Sequence, residues 1–193
     1  MTTVTAHPSL LSIAELSAAR LDGELFDVSD DYASVAEPET IQLRARSLAS
    51  WVPPQAAVER HSALWVYGVL ARPPTPLQLC LGAHSTLRIA TTRRYIVREV
   101  ALLVGDVRTF ADVQVTSPLR TAVDLSRTSD VFDQHLIRQL AELIRPERLT
   151  IADFERRLSA SRNLPHKKLA LARLRLVVEA AFCRADEGSV SRR

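Results

Sequence analysis

The chain is poor in the residues that make many functional sites easy to read. Only two of its 193 residues are cysteines, Cys80 and Cys183, far apart and without a CxxC pair. That excludes a disulfide framework and a cysteine-rich zinc site and suits a reducing compartment, with two buried thiols favoured over a single Cys80–Cys183 disulfide. Five glycines leave little material for a phosphate-cradling loop, and there is no GxGxxG, Walker-type, GxSxG or HExxH pattern. Lys167 and Lys168 are the only lysines, so the Glu-x-Lys arrangement of many nucleases is missing, and the five histidines never pair at helical spacing. No run of about 18 apolar residues occurs, since "YIVREVALLV" is cut by Arg98 and Glu99. The opening "MTTVTAHPSLLSIAELS" has neither a basic leader nor a long apolar stretch, so the expectation is a cytoplasmic protein without a membrane segment.

What is present suffices for a core: 47% hydrophobic and 24% charged residues. The net charge of +3 is unevenly placed. Residues 1–60 hold 4 basic and 9 acidic side chains (net −5), residues 61–130 hold 8 and 5 (+3), and residues 131–193 hold 13 and 8 (+5). Such polarity fits a nucleic-acid face, an acidic partner or an ordinary solvated surface.

Local signals divide the chain into three parts. Ser12-Ile-Ala-Glu15 is a capping box opening a helix to about Leu21, and Gly23 marks its stop. "ELFDV" and "YASV" flank Ser29-Asp30-Asp31 as a short hairpin, where a turn is favoured over a metal-binding acidic pair. Pro38 opens the next helix, with Ile41, Ala45 and Leu48 on one face, and "AVERHSALWVY" predicts a further helix from Ala57 to Tyr67 stopped by Gly68. Beyond "ARPPTP" the period becomes two, with strands at "LQLCL", "YIVREVALLV", "DVRTF" and "VQVTS". From Pro118 the pattern is helical. Phe132, Leu136, Ile137, Leu140 and Ile144 share a face, Thr150 and Asp153 cap another helix, and the apolar arc of a last helix from about Pro165 to Cys183 is wide enough to pack between elements.

The expected fold class is therefore α+β. A short N-terminal helix–hairpin, like a reduced winged helix, spans 1–52. A central, mostly antiparallel sheet and a helical C-terminal part span 53–193, either as a second domain or as one continuous domain with the first.

The most informative stretch is "VTSPLRTAVDLSR", residues 115–127. Ser117 is a helix N-cap with Pro118 at the first helical position, where its missing N–H costs nothing. Leu119, Ala122 and Val123 face the core, while Arg120, Asp124 and Arg127 lie three and four apart on another face. A cation in the first turn opposes the helix dipole. Arg120 is therefore expected to reach a carboxylate or carbonyl elsewhere and join sheet to helices. A structural corner is the leading reading, and a ligand-binding corner is the alternative.

This string, with "SALWVYGVLARPP" and "YIVREV" before it, resembles the AbiEi family of type IV antitoxins in its actinobacterial form. There a pattern close to V-T-[ST]-P-x-R-T-x-x-D-L-x-R follows an aromatic-rich helix ending in Gly. Arg120, Thr121, Asp124 and Arg127 match that motif. Together with the absence of catalytic patterns, the expectation is a non-enzymatic protein without a cofactor. The resemblance implies an N-terminal module that binds operator DNA to regulate its own operon, and a domain that counters a cognate toxin protein. "ELSAARLDGELFDVSDDYASV" resembles a reduced form of the family's winged helix, but its hairpin is acidic and would repel a duplex. Some relatives add a Vsr-like endonuclease domain, whose carboxylate pattern this sequence lacks. Candidate nucleic-acid contacts are instead Arg93, Arg94 and Arg98, or the C-terminal arginines. The alternative is a protein–protein interaction module that has lost DNA binding, and no small-molecule substrate or membrane is expected as a partner.

Overall fold

The computed structural model describes residues 12–28, 31–83, 85, 88–161 and 164–182. Helix α1 (Ile13–Leu21) begins at Ser12, whose hydroxyl and amide exchange hydrogen bonds with Glu15 in the expected capping box. Gly23 at φ 74° then turns the chain into strands β1 (Leu25–Val28) and β2 (Asp31–Ser34), which pair antiparallel. Ser29 and Asp30 of the hairpin lie outside the described residues, as do His84 and Cys183. Helix α2 (Ile41–Ser47) starts three residues after Pro38, because the Thr40 hydroxyl accepts the Leu43 N–H and supplies the cap that proline cannot.

Ala57 and Val58, predicted as helix, instead belong to a strand, β3 (Ala56–Val58). All three of its residues are buried between two neighbours, and the helical pattern of "AVERHSALWVY" is realised only as α3 (Arg60–Val66). The change of direction is abrupt. Glu59 is extended, and Arg60 sits at φ 48°, a left-handed conformation that costs a non-glycine residue about 1 kcal/mol or more. The Gln78 side chain accepts the His61 N–H, and the Ser62 hydroxyl accepts the Gln78 N–H, so the first turn of α3 is bonded to the next strand. Gly68 at φ 85° ends the turn that follows the helix.

Strands β4 (Leu77–Gly82), β5 (Tyr95–Val100), β6 (Val107–Phe110) and β7 (Val113–Thr116) complete a five-stranded sheet in the order β5-β4-β3-β7-β6. The overall class is α+β, yet the sheet is evenly mixed rather than mostly antiparallel. β3/β4 and β6/β7 run antiparallel, while β4/β5 and β3/β7 run parallel. Connection length explains the difference. Ala111 and Asp112, at φ 45° and 67°, form a two-residue turn that makes β6/β7 a hairpin, whereas a long link between β4 and β5 lets the second strand return in the same direction.

Helices α4 (Pro118–Thr128), α5 (Gln134–Ile144), α6 (Ile151–Ser159) and α7 (Lys167–Phe182) form the C-terminal part. The Thr150/Asp153 capping box is present at α6. Two cores result. One joins Val28, Ala33, Leu43 and Leu48 of the N-terminal segment to Val58, Trp65, Leu79 and Val115 around the sheet. The other packs Leu64 and α4 to α6 on the face of α7 that carries Ala170, Leu174, Val177 and Ala181. The apolar arc of α7 is only partly covered, since Leu169 and Leu176 remain 45% and 49% exposed. No helix among the described residues is long and apolar enough to cross a membrane.

This division of α7 predicts unequal costs of truncation. Leu174→Ala should lower stability by about 2–5 kcal/mol through the cavity it leaves. Leu176→Ala should change it by less than about 0.5 kcal/mol. Urea unfolding of the two variants beside the parent checks the contrast.

Candidate functional site

The 115–127 stretch folds as the corner expected from its residues. Ser117 caps α4 with Pro118 at its first position, and the Ser117 hydroxyl accepts the Arg120 N–H. The Thr121 hydroxyl bonds the Thr116 carbonyl at 3.1 Å, and Tyr67 donates to that same carbonyl at 3.0 Å. The corner is thereby fixed to β7 and to the end of α3.

Arg120 turns inward and is 3% exposed. Its Nε donates to Asp124 at 2.8 Å, and its Nη1 donates both to the Ala101 carbonyl at 2.7 Å and to Asp106 at 2.8 Å. Asp106 also receives Arg157 from α6 through two bonds of 2.7 and 2.6 Å, together with the Leu103 amide at 2.8 Å. Asp124 is approached by Arg127 at 3.2 Å and by Arg98 at 3.7 Å. Arg98 in turn grips Glu59 with two bonds of 2.7 and 2.6 Å. Glu59 is fully buried, and Arg60 lies 3.3 Å from it. One continuous chain of charges therefore runs from Glu59 through Arg98, Asp124, Arg120 and Asp106 to Arg157.

Five guanidiniums surround three carboxylates, leaving a net charge of +2 at this junction. The balance shows in the ionisation of the members. Burial alone would raise the Asp106 carboxyl, but the hydrogen bonds of Arg157 and Leu103 and the charge of Arg120 outweigh it and hold its pKa below the ordinary aspartate value. Burial works against the charge of Arg120 as well, and Asp124 and Asp106 more than compensate. Arg60 and Arg127, at the edge, are lowered by burial and by neighbouring guanidiniums.

Chemically this arrangement is a clamp. Every carboxylate is occupied by bidentate or multiple guanidinium bonds, so none is placed to take a proton or to ligate a metal. Among the described residues no group of three or more histidines, cysteines, aspartates or glutamates could hold a metal ion. Burial pushes the Cys80 thiol well above its ordinary value, which keeps it a neutral thiol.

The structure brings Arg120, Thr121, Asp124 and Arg127 together and adds Arg98, which the sequence had suggested for nucleic acid. Its guanidinium is committed to Glu59. Arg93 and Arg94 lie elsewhere, at the mouth of a cavity of about 590 Å³ between the N-terminal segment and the sheet. Glu59, Asp106 and Arg157 are members that sequence reasoning missed. Arg157 had a legible signal, because it stands at helical spacing with the inward Phe154 and Leu158. Glu59 had a weaker one, as the acid that directly follows the apolar Ala56–Val58.

No protein-family model and no curated protein matches the chain. Among solved structures it is similar to the crystal structure of the RV2827C protein from Mycobacterium tuberculosis, at 16% identity and a TM-score of 0.49. The match covers 88% of this chain and 65% of that one, so the chain spans about two thirds of that protein's length.

Removing one member of a buried ion-pair network leaves an uncompensated charge. Arg120→Met should therefore cost about 3–5 kcal/mol in denaturant unfolding at neutral pH. The pH dependence follows from the depressed pKa of Asp106. Its contribution is complete above the unfolded-chain value near about 4 and is lost as pH falls through the lower folded value. Unfolding midpoints measured from pH 7 to pH 2 should fall in that acid window. Asp106→Asn should be less stable at pH 7 and show a shallower acid decline.

Proposed function

We propose that this chain is a non-enzymatic, cytoplasmic antitoxin-like protein of the AbiEi type that works by binding. The observation carrying the reading is the inward placement of Arg120, Thr121, Asp124 and Arg127, which are the residues of the resembled motif. A motif whose polar atoms are consumed by Asp106, Asp124 and backbone carbonyls builds a scaffold, and recognition is left to the surface around it. Regulation of its own operon would then rest on exposed arginines such as Arg93 and Arg94, because the N-terminal segment around the hairpin is acidic and Arg98 is engaged.

A second reading, a protein–protein module that has lost DNA binding, is favoured by the net charge of −5 over residues 1–60, which suits a basic partner. The expected outcome for a regulator is retention of a labelled duplex from the chain's own upstream region, falling steeply with salt and weaker for an unrelated duplex. No retention even at low salt would remove the operator-binding reading and leave a protein partner as the target.

A further inference from the structure

The cavity between the N-terminal segment and the sheet has a chemistry that the buried network does not use. Its walls include buried Val28 and Trp65 and half-buried Trp51 and Leu77, while Arg72, Arg93 and Arg94 are exposed at its mouth. At about 590 Å³ it falls in the size range of small-ligand sites. The carboxylate among its described lining residues, Glu39, is held by the Nε of Arg44 at 2.9 Å, and three arginines stand at the mouth. Neither Arg72 nor Arg93 has a carboxylate partner among the described residues.

One of these arginines is also held in place. The Arg94 guanidinium lies 3.8 Å from the centre of the Trp51 ring, which fixes its plane and leaves its N–H edge free of that contact. The Thr92 hydroxyl accepts the amides of Arg94 and Tyr95 at 3.1 and 3.2 Å, and the Arg94 carbonyl accepts the Leu77 amide at 2.8 Å. Arg72 is followed directly by Pro73 and Pro74, which stiffen its segment. A mouth bearing three arginines, one of them stacked on an indole, matches a ligand with a phosphate at one end and a flat ring at the other.

From this geometry we infer that the cavity bounded by Trp51, Trp65, Arg72, Arg93 and Arg94 is a nucleotide site. The phosphate meets the arginines, and the base lies against the half-buried Trp51 and Leu77. Such a site takes an unpaired nucleotide, free or within a single strand, because a base inside a duplex cannot enter it. The inference goes beyond the operator-binding reading, since it assigns Arg93 and Arg94 to an unpaired nucleotide, and it can be tested separately from it.

The test is direct, because the chain's two tryptophans both line the cavity. Intrinsic fluorescence of the full chain would be titrated with thymidine 5′-monophosphate, with thymidine, and with an oligothymidylate of about eight nucleotides. Saturable quenching by the monophosphate and the oligomer, but not by thymidine, is expected. For the oligomer, three arginine contacts give a slope of log affinity against log salt of about −2. Arg93→Ala/Arg94→Ala should weaken binding about tenfold or more. Arg88→Ala, an exposed change paired only with Glu99, should bind as the parent does.

Equal affinities for the monophosphate and the oligomer would identify a free nucleotide as the ligand, and a tighter oligomer would identify a single strand. Absence of saturable quenching by both, or unchanged binding by the double variant, would overturn the site. Duplex retention with a silent cavity would sink the nucleotide site and spare the regulator reading. Quenching without duplex retention would do the reverse.

Discussion

The carboxylate of Asp106 is the point at which the parts of this molecule are joined. It sits just before β6 and accepts Arg120 from α4, Arg157 from α6 and the amide of Leu103, while its own carbonyl accepts the Ser117 N–H. Sheet edge, corner and helical layer are thus tied through one residue. The two apolar cores can slide only if charged hydrogen bonds break, and breaking them strands a buried charge. Hydrophobic burial drives the collapse of each core, but this junction specifies how the two cores are set against each other.

A junction of this kind also determines where binding chemistry can and cannot be found. Its five arginines would look, in a list of basic residues, like a nucleic-acid face. In the fold they are used internally: Arg98 on Glu59, Arg120 on Asp106 and Asp124, and Arg157 on Asp106. The arginines at the cavity mouth differ in circumstance rather than in type, being exposed, with Arg94 stacked on Trp51 and no ion pair to Arg72 or Arg93 among the described residues. Partnering, not charge count, separates scaffold from interface.

Much of the architecture was legible in short-range chemistry. The capping boxes at Ser12 and Thr150 and the Ser117-Pro118 start are signals whose partners lie within four residues, and each appears as expected. The inward reach of Arg120 was legible for the same reason, since a cation in a first turn is unfavourable without a distant partner. The identity of that partner was not. Asp106 lies 14 residues before Arg120 and 51 before Arg157, and no local periodicity connects them. The strand at Ala56–Val58 was hidden because its three residues suit a helix equally well, and only the vacancy between β4 and β7 selects the extended form.

By itself, then, the sequence determined the class, the order of most elements, the capped corner at 117–120 and the asymmetry of charge from acidic to basic along the chain. These depend on interactions between near neighbours and on composition, which are fully present in a linear string. Only the tertiary structure decided that the sheet is half parallel, that Arg98 belongs to Glu59, and that Trp51 and Trp65 share a cavity with Arg72, Arg93 and Arg94. Those outcomes depend on which distant segments are brought within a few ångströms. Strand direction and side-chain pairing across such contacts are settled by packing the whole chain at once.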